Sequence, residues 1–237
     1  MALNIIIAIV IILAIFFILY KITKKVWKTL LFGFIIIIIL ILIFGFIVYK
    51  DFKDINDNIG KRDNLFVLKE DSEFLTAFVL NFDKLDEKDY HNNVIIIDKA
   101  KLSQYNENFN NEDNKKTIND GYYKAFFFDI NIIENSDLNE FRISEQLSLS
   151  KNEVLQILKS DEAALSLFNQ RLNIGTERIK PTVFSLAFIN ILSNKPEDVI
   201  KGLKNDDIEV YKETIVFELI EGELGSIATG FIPDLNA

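Results

Sequence analysis

Two stretches near the N-terminus carry no charge and almost nothing that water would solvate: LNIIIAIVIILAIFFILY over residues 3–20 and TLLFGFIIIIILILIFGFIVY over residues 29–49. At 1.5 Å per residue they extend roughly 27 and 32 Å, enough to cross a hydrocarbon core about 30 Å thick. Backbone polar groups in lipid have no water to bond, so each run must satisfy its own groups as a helix despite its β-branched content. Residues 1–49 are therefore predicted to form a transmembrane helical hairpin, with spans 3–20 and 29–49 and connector 21–28. The aromatic and basic residues at the run ends, Tyr20, Lys21, Lys24, Lys25, Trp27, Lys28 and Tyr49, are the expected membrane-interface set. A cleaved signal peptide fits the first run poorly: MALN lacks positive charge, the apolar stretch is too long, and no small-residue cleavage site follows Tyr20.

The connector KITKKVWK places four lysines in eight residues, which favours the cytoplasm for the connector and an extracytoplasmic position at the cell membrane for the soluble part after Tyr49. Lys50, Lys53, Lys61, Arg62 and Lys69 pull the other way, at lower density. Neither span holds an ionisable group at mid-depth, where pores and pumps keep theirs, so the hairpin reads as an anchor. Gly33 and Gly45 lie twelve residues apart and make no small-xxx-small seam.

After Tyr49 the chain is mixed and acidic. All 35 acidic residues lie there with 22 of the 26 basic ones, leaving a net charge of about −13. Phosphate backbones need a basic footprint, so nucleic acid is not an expected partner; the expected partners are the lipid bilayer and a protein, either another chain or a second copy. The absence of cysteine removes disulfides, thiolate metal sites and cysteine nucleophiles.

Val48, Phe52, Ile55 and Ile59 recur at helical spacing, so the second helix is predicted to run from about Thr29 to Ile59, with Gly60 as its stop. Residues 50–63 form a helical stalk and linker whose stripe packs on the domain or pairs with another copy. Residues 64–237 are read as an acidic α+β soluble domain, an antiparallel sheet with helices on one face. Strands are predicted over 64–69, 73–83, 93–98 and 122–133, with Asp120-Gly121 as a turn. Residues 104–120 hold six asparagines and read as a loop or a marginal helix. Ser150 with Glu153 forms a capping box, Ser160 starts the next helix, and Pro181 and Pro196 open two more. A strand is predicted over 208–211. ETIVFELI, residues 213–220, could continue as strand or turn helical, and its β-branched content favours strand; Ile227, Phe231 and Ile232 favour a tucked tail.

LSLSKNEVLQILKSD (Leu147–Asp161) and KGLKNDDIEVYKETIVFELI (Lys201–Ile220) resemble segments of uncharacterised archaeal membrane proteins with an N-terminal apolar anchor. The resemblance covers about 35 residues. It implies an anchored domain and carries no activity.

Three strands run apolar into an aspartate, FVLNFDKL, VIIIDKAK and FFFDINII, which makes Asp83, Asp98 and Asp129 the candidate catalytic residues. Converging at strand ends, they would hold a divalent cation or pair an acid with a base; separated, they would only accept backbone hydrogen bonds where strands turn. His91, the single histidine, sits in a polar turn. The tail's GELG lies in acidic surroundings unsuited to phosphate, and Ser150-Lys151 or Ser103 near Lys101 make dyads by adjacency alone. No cofactor or metal site is expected. The favoured reading is a membrane-anchored, non-enzymatic interaction, assembly or envelope protein; the alternative is a membrane-tethered enzyme or metal-dependent hydrolase using Asp or Glu.

Overall fold

In the computed structural model the second helix runs on well past its apolar stretch. Helix α1 covers Ala2–Thr23 and α2 covers Val26–Asn58. The structure describes residues 2–23, 26–84, 94–109, 118, 121–144, 147–211 and 214–221. Lys24, Lys25, His91 and residues 222–237 lie outside the described residues, as do the side chains of Tyr20, Lys21, Trp27 and Lys28; Tyr49 is exposed. Among described side chains, one helix is long and apolar enough to cross a membrane, α2 over Leu31–Asn58; the shorter apolar stretch of α1 is Ile9–Leu19. The chain divides into a helical unit, residues 1–51, and a domain, residues 52–237.

Within the helical unit α1 and α2 touch. A side chain at Gly33 would stand 2.5 Å from Cε2 of Phe16, so the ring occupies the space that glycine leaves open. Ile12 and Phe16 on α1, and Gly33, Ile36 and Leu40 on α2, are half-buried amid exposed neighbours, a seam of three- and four-residue spacing. Gly33 thus serves as a notch without any second small residue.

The domain is built on five strands: β1 (Asn64–Glu70), β2 (Glu73–Leu80), β3 (Ile95–Ile96), β4 (Ala125–Asp129) and β7 (Ile208–Tyr211), in spatial order β3-β2-β1-β4-β7. The sheet is mixed, which corrects the antiparallel expectation. β1 pairs antiparallel with β2, but β4 lies parallel to β1, with Leu65 opposite Ala125 and Lys69 opposite Asp129. After β3 the chain passes through helix α3 (Lys99–Phe109) and returns on the far edge of β1; a crossover of that kind yields a parallel neighbour.

Helices also cover both faces, where one was expected. Phe66, Leu68, Phe78, Leu80, Phe126 and Phe128 point into the larger core. Leu65, Val67, Ala77, Val79, Ala125 and Phe127 point to the opposite side, against Tyr105 and Leu102 of α3. Strands buried on two faces need apolar residues at every position, which is why LFVL and AFFF run without alternation. Of the asparagine-rich segment 104–120, expected as a loop or a marginal helix, the described part through Phe109 is the end of helix α3. On its buried side Tyr105 and Tyr122 share a hydrogen bond of 3.1 Å, and burial followed by that bond pushes the Tyr105 phenol up to about 12.

The larger core is filled by α5 (Lys151–Lys159), α6 (Glu162–Leu172), α7 (Thr176–Asn194) and α8 (Pro196–Lys204), with a separate hairpin of β5 (Glu140–Arg142) and β6 (Ser148–Ser150). Three boundaries differ from expectation. β4 ends at Asp129, whose carboxylate accepts the Asn131 N–H, and the short helix α4 (Asn131–Glu134) follows in place of strand. The cap of α6 is Asp161, not Ser160, through its bond from the Ala164 N–H. α7 starts at Thr176, so Pro181 lies inside it; the forfeited backbone bond is offset by burial of the ring. The last predicted strand is helix α9 (Ile215–Glu221): β7 already holds the sheet edge beside β4, and Phe217 packs edge-on against Phe126 at 6.1 Å. Tertiary packing overrides β-branched propensity there.

The Ser150–Glu153 capping box forms as predicted. The Ser150 N–H, then the Arg171 guanidinium, then the Ser150 hydroxyl hold the Glu153 carboxyl down at about 2, against an ordinary 4.5. Because the folded value lies below the unfolded one, the stabilisation is complete above pH 4.5 and is lost as the pH falls toward 2. Thermal unfolding between pH 6 and pH 3 should show Glu153→Gln flattening this acid limb, and the Ala variant should cost about 0.5–2 kcal/mol at neutral pH through loss of half the box.

Candidate functional site

Two of the three candidate aspartates, Asp98 and Asp129, accept backbone N–H groups of the turns that follow them. The Asp83 N–H donates to the Gly60 carbonyl at 2.8 Å in a single 3-10 turn after β2. Asp98 caps α3, accepting the Lys101 N–H at 2.8 Å. Asp129 accepts the Asn131 N–H at 3.0 Å.

The sheet keeps them apart. Asp98 follows β3 and Asp129 ends β4, three strand spacings away, roughly 14 Å. Asp83 lies beyond Leu80, which pairs with Asn64, whereas Asp129 pairs with Lys69 at the other end of β1, roughly 17 Å along it. Carboxylates shift one another's pKa strongly only within about 4–6 Å. The three do not form a shared site, and among the described residues no group of three or more His, Asp or Glu is arranged to hold a metal ion.

Asp129 does have an acidic neighbour that the sequence reading did not single out. Burial, then the charge of Asp129, push the Asp207 carboxyl up, against a hydrogen bond from Asn131. Asp207 borders a small cleft with Asp198, Ser136 and Lys201. Asp198, 7% exposed, accepts from Ser136 Oγ at 3.2 Å and from Lys201 Nζ at 3.1 Å. Burial pushes its carboxyl up, but Lys201, the Asp137 N–H and Ser136 outweigh burial and hold it below its ordinary value. The Ser136 carbonyl in turn accepts from Lys151 Nζ at 2.6 Å. These bonds staple the loop after α4 to the first turn of α8. The cleft measures about 70 Å³, room for about two waters and far below the 300–1,000 Å³ of ligand pockets.

A larger groove of about 340 Å³ lies between the β5–β6 hairpin and the α6–α7 corner. Its apolar walls are Ile143, Leu147, Leu172, Ile174 and Val183. Asn190 on α7 holds the hairpin in place, bonding both the N–H and the C=O of Arg142, at 3.0 and 2.9 Å. Asn173 turns the corner in the left-handed conformation, φ 53°, where its short side chain tolerates positive φ. Arg178, on the first turn of α7, lines the groove, is exposed, and has no carboxylate partner among the described residues. The neighbouring Glu177 carboxylate folds back over Gly175, filling the space a side chain there would take.

Sequence reading missed this groove because no motif marks it; its walls come from four elements that meet only on folding. One nearby signal was legible. Leu165, Phe168 and Leu172 form the inward stripe of α6, and Leu167 falls outside that phase; it is 79% exposed.

A third constellation joins the end of α2 to the sheet. Ile55 and Ile59 pack against the larger core, as the stalk stripe predicts. Asn64, fully buried, donates through Nδ2 to the carbonyls of Ile59 and Arg62, both at 2.8 Å. Asn81 does the same for the Lys61 carbonyl at 2.9 Å and the Asp63 carboxylate at 3.1 Å. Tyr123 donates to Asp54 at 2.8 Å. The helix stops at Asn58 without a left-handed glycine, since Gly60 keeps a negative φ; the Asn58 carbonyl accepts from the Lys61 and Arg62 N–H groups, and the side-chain amides hold the carbonyls of the turn that follows.

Comparison with known proteins returned no matching family model, no matching curated protein and no matching solved structure.

Proposed function

We propose that this chain is a membrane-anchored interaction protein, in which a two-helix transmembrane hairpin holds an acidic α+β domain outside the cell membrane to bind a protein partner or a further copy of the chain. The observation that carries the reading is α2 itself. Over Leu31–Asn58 it is long and apolar enough to cross a bilayer, and none of that apolar window is buried within the protein. A helix apolar on every side is solvated by lipid, not water. The contact of Phe16 with Gly33 supports α1 as its partner in the same membrane. The four lysines between the spans support the cytoplasmic side for the connector. An apolar groove within the size range of binding pockets supports recognition by the domain.

Carbonate washing of membranes is expected to leave the chain in the pellet, and external protease on intact cells is expected to remove the domain. A chain recovered in the carbonate supernatant would overturn the anchor. A protected domain would reverse its side, leaving the anchor intact. Purification in mild detergent is expected to bring a stoichiometric companion chain or a homo-oligomer; a solitary monomer would sink the interaction reading.

A further inference from the structure

We draw no further inference here: the strongest candidate, the apolar groove between the β5–β6 hairpin and the α6–α7 corner, is an unpartnered face, and nothing in the structure shows what covers it.

Discussion

Replacing Phe66 with alanine is expected to destabilise the domain by about 3–5 kcal/mol, the range for truncating a buried phenylalanine. Typical domains have only 5–15 kcal/mol in total, so this single change removes a large share. The reason lies in how many rings meet at one position. Phe66 stacks on Phe78 at 5.0 Å and on Phe126 at 5.1 Å, its partners on the two flanking strands, and it touches Phe188 of α7 at 5.1 Å. Phe128 and Phe82 stand at 6.1 Å. Ring pairs of this kind each add about 0.5–1.5 kcal/mol beyond the area they bury. The cavity left by alanine is bounded by strand backbone on one side and a long helix on the other, so collapse into it is limited. Thermal unfolding of the full-length protein in detergent, followed by near-UV circular dichroism, checks the size. Leu167→Ala, at an exposed position, should stay within about 0.5 kcal/mol. Equal losses for the two variants would show that the aromatic cluster is not the centre of the core.

Asn64→Asp is expected to cost nearly as much, about 3–5 kcal/mol, although it changes no volume. The wild-type Nδ2 faces two carbonyl oxygens, which fixes the orientation of the amide. Among the described residues its Oδ1 has no partner, and none offers a donor to a second oxygen there. A carboxylate would point negative oxygens at the Ile59 and Arg62 carbonyls in a site with no solvent exposure. Asn64→Ala loses the two bonds but removes the unpartnered Oδ1 as well, so its cost should be smaller, about 1–3 kcal/mol. The order Asp worse than Ala is the informative result. It should shrink at pH values below about 4, where the carboxyl is protonated and donates once. Burial raises the folded-state pKa of such a group, so its penalty grows as the pH rises through the unfolded value. Unfolding midpoints for the two variants at pH 3.5 and pH 7 supply the comparison. A smaller loss for Asp than for Ala at neutral pH would mean that the Asn64 amide does not hold the turn after α2.

How far the sequence could be read depended on the range of the interactions involved. The capping box at Ser150 and Glu153 was legible because its bonds span three residues. The reach of α2 to Asn58 was legible because Ile55 and Ile59 keep helical phase with Val48. The three aspartates were legible as residues but not as a constellation. A strand running into an aspartate has one local appearance whether the carboxylate caps the next turn or faces a substrate, and only the order β3-β2-β1-β4-β7 separates Asp98 from Asp129. The groove had no local appearance at all. Its apolar walls sit on the β5–β6 loop, the α6–α7 corner and α7, and each taken alone reads as an ordinary core residue.

What the sequence alone determined is that α2 is long and apolar enough to cross a bilayer, because that property depends on the helix's own composition and length and requires no partner element. The tertiary structure decided everything that depends on which distant segments meet. It set β4 parallel to β1, laid α3 on the second face of the sheet, and turned Ile215–Glu221 into helix once β7 had taken the edge. Strand pairing and two-sided burial are properties of residues far apart in the chain. A β-branched run reads alike at a sheet edge and beneath a helix until its neighbours are in place.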